Sequence, residues 1–378
     1  MFTLLKRDPA CAARRGRLVL PHGVVETPVF MPVGTQGSVK TLHPAEVEAL
    51  GASIILGNTY HLHLRPGPEV IAGFGGLHDF ACWKHCLLTD SGGFQVWSLA
   101  KLRKINEEGV HFQNHLNGAP MFLSPETSMA IQAGLGSDIA MAFDECPPYP
   151  CDRSYAERST DLTTRWAARC RKWIDENRPL ASHGRGRQHH FGIVQGSVFA
   201  DLRERSARAL VEMDFDGYAI GGVSVGEPEE EMLRAVEHSA PFLPQDKPRY
   251  AMGLGTPPQI LEMVARGVDM FDCVHPTRAA RHGQAFTPDG PVNLRNARFE
   301  HDPAPLHPET APAVLPFSRA YLRHLLKAGE ILALRLLTLN NLHFYLDLMR
   351  QARAAVEEGR FVEFKDQAIA RYHARKLP

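Results

Sequence analysis

Short apolar segments alternate with amphipathic stretches along most of the chain, and this alternation constrains the fold more than any other feature. From residue 190 onward, three stretches of helical period separate the strand-like segments HFGIVQG, GYAIGGV, RYAMGLG and VDMFDCV. Four more strand-like segments precede them: TPVFMPV, ASIILGN, CLLTDSGG and DIAMAFDEC. Strands buried on both faces read as such continuous apolar runs. Eight units of this kind predict an α/β fold, a (β/α)8 TIM barrel with insertions. A doubly wound sheet is the alternative, although no G-x-G-x-x-G motif follows an early strand.

The alternation stops near residue 290. A proline-rich segment, HDPAPLHPETAPAVLPF, leads into two helical stretches, SRAYLRHLLKAGE and ILALRLLTLNNLHFYLDLMRQARAAVEEG. We therefore expect a barrel catalytic domain over residues 1–290 and an appended C-terminal helical subdomain over residues 291–378. The second helix has more apolar positions than one buried stripe requires, which favours a subunit interface and a homodimer.

Composition is typical of a globular protein and excludes several classes. The 378 residues are 44% hydrophobic and 22% charged. No run approaches the ~20 apolar residues that cross a bilayer, so we expect no membrane association. Seven cysteines at irregular spacing favour reduced thiols and a cytoplasmic location. Because 42 Lys and Arg balance 42 Asp and Glu, a nucleic-acid partner would require a local basic patch.

Three clusters of basic residues are candidates for such a patch. They are the pair Arg278 and Arg281, the run Arg185 to Arg187 with His189 and His190, and the group Arg165, Arg169, Arg171 and Lys172 on one helical stretch. The plain alternative for each cluster is a solvated face.

Polar residues and glycines recur just past the ends of the strand-like segments. They are Asp90, Asp144, Gln195, Gly221 with Gly222, Gly253 and Asp272. Catalytic groups of barrel enzymes come from the C-terminal ends of the strands, so we expect a site there.

Two of the three carboxylates in this set can divide the work of catalysis. Asp90 and Asp272 provide one nucleophile and one general acid and base, and carboxylates suit attack at an anomeric carbon. Asp144, Gln195 and the backbone of Gly222 complement a guanine edge, although a turn residue is an equally good interpretation of Asp144.

A metal-dependent hydrolase is a minor alternative. His61 and His63 form the H-x-H pattern of amidohydrolase barrels, with Asp272 as a late carboxylate. That class also needs histidines after the fifth and sixth strands, where this chain has Gln195 and Gly221. The H-x-H pattern also follows the second strand rather than the first. No cysteine pair has zinc-ribbon spacing.

Taken together, the motifs resemble the tRNA-guanine transglycosylase (queuine tRNA-ribosyltransferase) family of bacterial type. They cover nearly the whole chain: TPVFMPVGT, LGNTYHLHLRPG, LTDSGGFQV, MAFDECPPYP, FGIVQGSV, GYAIGGVSVGE, MFDCVHPTR, GQAF and SRAYLRHL. The family fold is a (β/α)8 barrel with insertions, in agreement with the alternation described above.

The resemblance implies a pentosyltransferase that exchanges guanine at the wobble position of tRNAs with a GUN anticodon. The incoming base would be a 7-deazaguanine, either queuine or its 7-aminomethyl precursor, and the intermediate a covalent ribosyl-aspartate. Asp272 matches the nucleophile and Asp90 the general acid and base. Positions matching the base pocket are Ser91, Phe94, Asp144, Cys146, Gln195, Gly221, Gly222, Val223 and Met252. Arg278 and Arg281 match residues that contact the anticodon loop. Val223 and Ser224 stand where bacterial members commonly have Leu and Ala, which favours queuine or tolerance of both bases.

The chain departs from the family near its C-terminus. Family members hold a structural zinc with a C-x-C-x-x-C cluster and a downstream His. Here the stretch reads TAPAVLPF, and the His position is Asn340. We therefore expect no cofactor, with Val314, Leu315 and Phe317 forming the local core in place of the metal. A noncatalytic tRNA-binding or partner subunit is the alternative function, but the presence of both Asp90 and Asp272 favours the enzyme.

Overall fold

The computed structural model describes residues 1–95 and 103–374. Its strands are β1 (Phe2–Arg7), β2 (Arg14–Leu20), β3 (Gly23–Thr27), β4 (Val29–Met31), β5 (Val33–Gly34), β6 (Ile54–Gly57), β7 (Cys86–Thr89), β8 (Arg103–Ile105), β9 (Val110–Gln113), β10 (Pro120–Leu123), β11 (Ile139–Met141), β12 (His189–Val194), β13 (Gly217–Ile220), β14 (Arg249–Ala251), β15 (Met270–Asp272), β16 (Gln284–Thr287) and β17 (Gly290–Asn293).

The helices of the described residues alternate with these strands. They are α1 (Pro44–Ala49), α2 (Thr59–Leu64), α3 (Pro68–Gly73), α4 (Leu77–Phe80), α5 (Pro125–Leu135), α6 (Arg153–Asn177), α7 (Ala200–Glu212), α8 (Glu229–Glu237), α9 (Pro257–Ala265), α10 (His275–Arg281), α11 (Arg319–Ala328), α12 (Ile331–Glu357) and α13 (Phe361–His373). Among residues 1–95 and 103–374, no helix combines the length and hydropathy that a bilayer crossing requires.

The parallel strands close into a barrel. Their order is β4-β15-β14-β13-β12-β11-β7-β6-β5, and β4 and β5 lie on either side of Pro32. Because β15 pairs with β4 and β5 pairs with β6, the first strand segment joins both ends of the sheet. The predicted (β/α)8 barrel is confirmed, each predicted strand segment contains a barrel strand, and the doubly wound alternative is wrong.

The barrel interior is filled with apolar side chains and is closed at its N-terminal end. Leu18, Leu20 and Val25 of the antiparallel sheet β1-β2-β3 belong to the same buried cluster as the inward-facing residues of the barrel strands. A barrel of this size has a packed core rather than a pore. A ligand site within the barrel must therefore lie at the other end, where the strands finish.

The long helix α12 packs against the barrel rather than standing apart from it. The ring of Tyr345 lies 4.9 Å from that of Phe30 on β4 and 5.6 Å from that of Phe286 on β16. Its hydroxyl donates to the carbonyl of Gly255. The surplus apolar residues are buried within the chain: Leu336, Leu337, Leu339, Leu342 and Leu348. The boundary at residue 290 and the homodimer stay predictions.

Candidate active site

The C-terminal ends of the barrel strands bring the predicted site residues to one rim. Asp90 directly follows β7, Gln195 follows β12, Gly221 follows β13, Met252 follows β14, and Asp272 is the last residue of β15. Parallel strands finish at the same end of a barrel, so residues far apart in sequence become neighbours there.

Asp90 is a buried carboxyl held by the residues that follow β6. Its Oδ1 accepts a hydrogen bond from the backbone N–H of Thr59 at 2.9 Å, and its Oδ2 accepts one from the side-chain amide of Asn58. Burial raises the pKa of Asp90 to about 7, and the nearby charge of Asp272 adds to the rise. A carboxyl with such a pKa gives and takes a proton readily at neutral pH.

Asp272 is buried nearby and is fixed through one oxygen. The hydroxyl of Tyr250 and the backbone N–H of Gly253 both donate to Oδ1, at 2.5 and 2.8 Å. Burial raises the pKa of Asp272 as well, since these two hydrogen bonds only partly compensate for the loss of solvent. The carboxylate is therefore oriented but weakly stabilised in its charged form.

Asp144 and Gln195 form a polar edge beside the two carboxylates. The Asp144 carboxylate accepts from the hydroxyl of Ser91 at 3.0 Å and from the amide of Gln195 at 2.8 Å. Burial raises its pKa. The amide oxygen of Gln195 is buried and has no hydrogen-bond partner, so the pocket contains an unsatisfied polar atom.

Two glycines let the backbone approach this edge closely. A Cβ atom on Gly221 would lie 2.7 Å from the amide nitrogen of Gln195, and one on Gly222 would lie 2.5 Å from its amide oxygen. Gly222 also has a φ of +61°, which L side chains rarely adopt. The Gly-Gly sequence is therefore required by the packing of the rim.

The remaining predicted pocket residues lie around these groups. The side chain of Phe94 is 41% exposed and that of Met252 is half-buried, whereas Cys146 and Val223 are buried. Burial raises the pKa of the Cys146 thiol well above its usual range, so this cysteine is a wall of the pocket rather than a nucleophile.

The three basic clusters differ in how far ion pairs with carboxylates neutralise them. Arg165 pairs with Glu107 and Arg169 with Glu126. Partners also neutralise three other cations of these clusters: Arg171 pairs with Asp175, Lys172 with Glu176, and Arg187 with Asp216.

Arg278 and Arg281 differ from those clusters. Within the described part of the chain, neither forms an ion pair with a carboxylate, and Arg281 donates instead to the carbonyl of Thr277. Both lie on α10, which starts three residues after Asp272. This pair is a basic patch beside the rim that is available to a polyanion.

The metal-hydrolase interpretation finds no support in the geometry. In the residues that the structure describes, the one cluster with metal-ligand spacing is His22, His78 and Asp138, which excludes both His61 and His63. It lies at the N-terminal end of β11, away from the rim.

The C-terminal segment does not fit a zinc ion. Thr310 donates its hydroxyl hydrogen bond to Asn340, and Asn340 donates to the carbonyl of Phe286 at 2.9 Å. No cysteine lies after residue 273. Val314 is fully buried as expected, but the prediction for Leu315 is wrong, because its side chain is 42% exposed.

Several residues of the site escaped the sequence analysis. Asn58 and Thr59 hold Asp90, and Tyr250 holds Asp272. The signal for the first pair was present, since both follow a predicted strand in LGNTYH. Tyr250 lies inside a strand and carries no such signal.

Comparisons with known proteins identify the family of this chain. A family model described as queuine tRNA-ribosyltransferase matches residues 8–374. The queuine tRNA-ribosyltransferase of Symbiobacterium thermophilum is 57% identical over 375 residues, which are 99% of this chain and 92% of that protein. Those of Pelotomaculum thermopropionicum and Bacillus subtilis are 55% and 52% identical, over 98% and 99% of this chain and 98% and 97% of theirs. The chain belongs to the queuine tRNA-ribosyltransferase family.

Proposed function

We propose that this protein is a tRNA-guanine transglycosylase that replaces the wobble guanine of GUN-anticodon tRNAs with a 7-deazaguanine base. One observation carries the proposal: two buried carboxyls with raised pKa values, Asp90 and Asp272, lie at one rim of the barrel beside a polar edge. Paired carboxyls of this kind are the machinery of glycosidic bond exchange.

Asp272 acts as the nucleophile in the first half of the reaction. Tyr250 and Gly253 hold Oδ1, so Oδ2 attacks C1′ of the ribose. The new bond is O–C1′, the bond that breaks is C1′–N9, and its electron pair leaves with the guanine. Asp90, which is half-protonated near pH 7, supplies the proton that neutralises the departing base.

The second half reverses these roles. Asp90 takes a proton from the ring nitrogen of the incoming base, and that nitrogen attacks C1′ of the ribosyl-aspartate. The O–C1′ bond breaks and Asp272 returns to a carboxylate. A pKa near 7 suits a group that must act as acid and then as base in one turnover.

The polar edge selects the base. Asp144 accepts from the ring N–H and the exocyclic amino group of guanine, while Gln195 and the backbone N–H of Gly222 donate to its carbonyl oxygen. Ser91 orients Asp144 for this task.

The ring and the tRNA are held by residues around this edge. Phe94 and Met252 sandwich the purine plane, and Arg278 and Arg281 contact the anticodon loop, whose target base is extruded into the pocket. Cys146 and Val223 line the space for the 7-substituent. A valine in this wall favours queuine, or tolerance of queuine and its aminomethyl precursor.

The assembly and setting of the enzyme are further parts of the proposal. It works in the cytoplasm. It needs no zinc, because a direct hydrogen bond from Thr310 to Asn340 joins the two segments that a metal would otherwise connect. It forms a homodimer through the C-terminal helices, where Tyr321 is 40% exposed and stacks with Phe317 at 5.4 Å. Metal analysis and light scattering of the purified protein test these two points.

Exchange of radiolabelled guanine into an unmodified tRNA transcript with a GUN anticodon tests the function. We expect incorporation with the wild type and none with Asp272→Asn. Asp201→Asn serves as the control, since the one ion pair of this exposed carboxylate among the described residues is with Arg153 on the outer helices. Folded wild type that binds the tRNA without exchanging guanine would favour the noncatalytic tRNA-binding subunit instead.

A further inference from the structure

Arg203 is a fully buried arginine behind the base-binding edge. It lies on α7, and its guanidinium donates to the carbonyls of Ser197 and Gly221, each at 2.7 Å, and to that of Gly222 at 3.2 Å. A longer contact, 3.4 Å, reaches the carbonyl of Val194. All four acceptors lie at the ends of β12 and β13 or in the loops that follow them.

This guanidinium therefore ties together the two loops that carry the polar edge. Gln195 lies between two of its acceptors in sequence, and Gly221 and Gly222 are acceptors themselves. With their carbonyls drawn toward Arg203, the peptide groups of this loop are fixed in one orientation. Fixed peptide dipoles stabilise charge better than mobile ones, because they need no reorganisation during the reaction.

The charge of Arg203 is unusual for its surroundings. Within residues 1–95 and 103–374 it forms no ion pair, and the carboxylate of Glu227 attracts it only through a longer-range Coulombic interaction. Burial lowers its pKa to about 10, which still leaves it cationic at neutral pH. Buried charges are normally paired, and neutral donors would serve to bind carbonyls. An unpaired cation at this position favours a partner that becomes negative only during turnover.

We infer that Arg203 is a positioning residue for the leaving base: it orients the Gly221 and Gly222 peptides, and its charge stabilises the negative charge that the base acquires as C1′–N9 breaks. This inference rests on the proposed function. The electron pair of the broken bond is delocalised over the purine ring and its carbonyl oxygen, which the N–H of Gly222 faces in the proposed complex. The charge remains on the base until Asp90 delivers its proton.

A matched control lies at the opposite end of the barrel. Arg249 is also more than nine-tenths buried, donates to a backbone carbonyl, that of Leu243, at 2.8 Å, and has a pKa lowered to about 10, mainly by burial. It lies at the start of β14, where no chemistry is proposed. A purely structural role for Arg203 predicts that the two arginines behave alike when replaced.

The test compares Arg203→Gln, Arg203→Lys and Arg249→Lys by thermal unfolding, guanine affinity and steady-state exchange. We expect Arg203→Gln to lower kcat by about 100-fold while KM for tRNA changes less than about threefold. Arg203→Lys keeps the charge, so its kcat should be at least about tenfold higher than that of Arg203→Gln. Arg249→Lys should leave kcat within about twofold of the wild type.

Three results would overturn the inference: equal kcat losses in the Gln and Lys variants, a loss confined to KM or guanine affinity, or an equal loss in Arg249→Lys. If Arg203→Gln does not fold, the Lys variant decides: a kcat about 3- to 10-fold below wild type with unchanged guanine affinity supports the charge role, and a kcat equal to that of Arg249→Lys contradicts it. An inactive wild type would instead show that the proposed function itself is wrong.

Discussion

Both ends of the barrel contain buried carboxyls, but the two sets are held in opposite ways. At the C-terminal rim, burial raises the pKa values of Asp90, Asp144 and Asp272. At the N-terminal end, basic partners hold the pKa values of Asp138 and Asp216 below the usual range. The same side chain therefore serves chemistry at one end and stability at the other, according to whether basic side chains or only neutral groups donate hydrogen bonds to it.

At the N-terminal end, several hydrogen-bond donors surround the carboxylate of Asp138. Asp138 accepts from the backbone and ring of His22, from the backbone of Leu87 and from the ring of His78, at 2.8 to 3.2 Å. The two imidazole rings stack with centroids 3.6 Å apart. Burial alone would raise the pKa of Asp138, but these hydrogen bonds outweigh burial and lower it to about 2.

The rim carboxyls lack such compensation. Neutral groups hold them: Asn58 and Thr59 for Asp90, and Tyr250 and Gly253 for Asp272. Burying these carboxyls without charged partners costs folding free energy, and such a cost is common at reactive sites. The comparison teaches that stability in this barrel is concentrated where the strands begin, and reactivity where they end.

The largest effect is expected from Asp272→Asn. Exchange should fall by more than about 10⁴-fold because the attacking oxygen is lost. The free energy of unfolding at pH 8 should nevertheless rise by about 1 kcal/mol, since the amide keeps the oxygen that accepts from Tyr250 and Gly253 and removes a buried charge. Guanine exchange and urea unfolding measure the two changes. A destabilised variant would contradict the claim that the rim is uncompensated.

Asp138→Asn should show the opposite pattern. An amide group would face the N–H donors of His22, His78 or Leu87, so we expect a loss of about 3 kcal/mol in the free energy of unfolding. The kcat of the folded enzyme should be unchanged. Urea unfolding combined with active-site titration makes the measurement. A drop in kcat without a loss of stability would show that the two ends are not separable.

The pH dependence of stability should change sign between the two ends. The pKa of Asp138 is depressed to about 2, so its contribution of about 2 kcal/mol is present above pH 4 and is lost as pH falls toward 2. The pKa of Asp90 is raised to about 7, so its contribution is full below pH 4 and is lost as pH rises to 7. Unfolding free energies from pH 2 to 8 test this, and Asp90→Asn should flatten the neutral slope.

The smallest effect concerns the cations. Arg278 is exposed at the rim without an ion pair in the described part of the chain, whereas Arg187 at the N-terminal end pairs with Asp216. We expect Arg278→Ala to weaken tRNA binding by about five- to tenfold and to reduce the slope of log K against log salt by about one. Arg187→Ala should leave tRNA binding unchanged. Filter binding over a range of salt concentrations distinguishes the two variants.

The barrel itself was predictable from the sequence because its signals are local. Each parallel strand is a continuous apolar run, and the polar residue after it marks the rim, as Asp90 after β7 and Gln195 after β12 illustrate. The antiparallel sheet that closes the N-terminal end was not predicted, since most residues of β1 are exposed and its apolar pattern is weak.

The supporting contacts were less accessible to sequence reasoning. Tyr250 reaches Asp272 across 22 positions, and Asn341 on α12 donates to the carbonyl of Pro276 across 65. Nothing in the local pattern of either residue records such a partner. The apolar surplus of α12 suggested a second subunit, whereas contacts with the same chain bury most of it, because one helix meets both β4 and α10.

Leu18, Leu20 and Val25 help to close the N-terminal end of the barrel, and this closure has a kinetic consequence. The barrel is then open only at its C-terminal rim, so the departing and incoming bases must pass through the same opening in turn. While the old base occupies the polar edge, the new one has no second route to the ribose. We therefore expect product release to precede entry of the second substrate, with parallel lines in double-reciprocal plots when both substrates are varied.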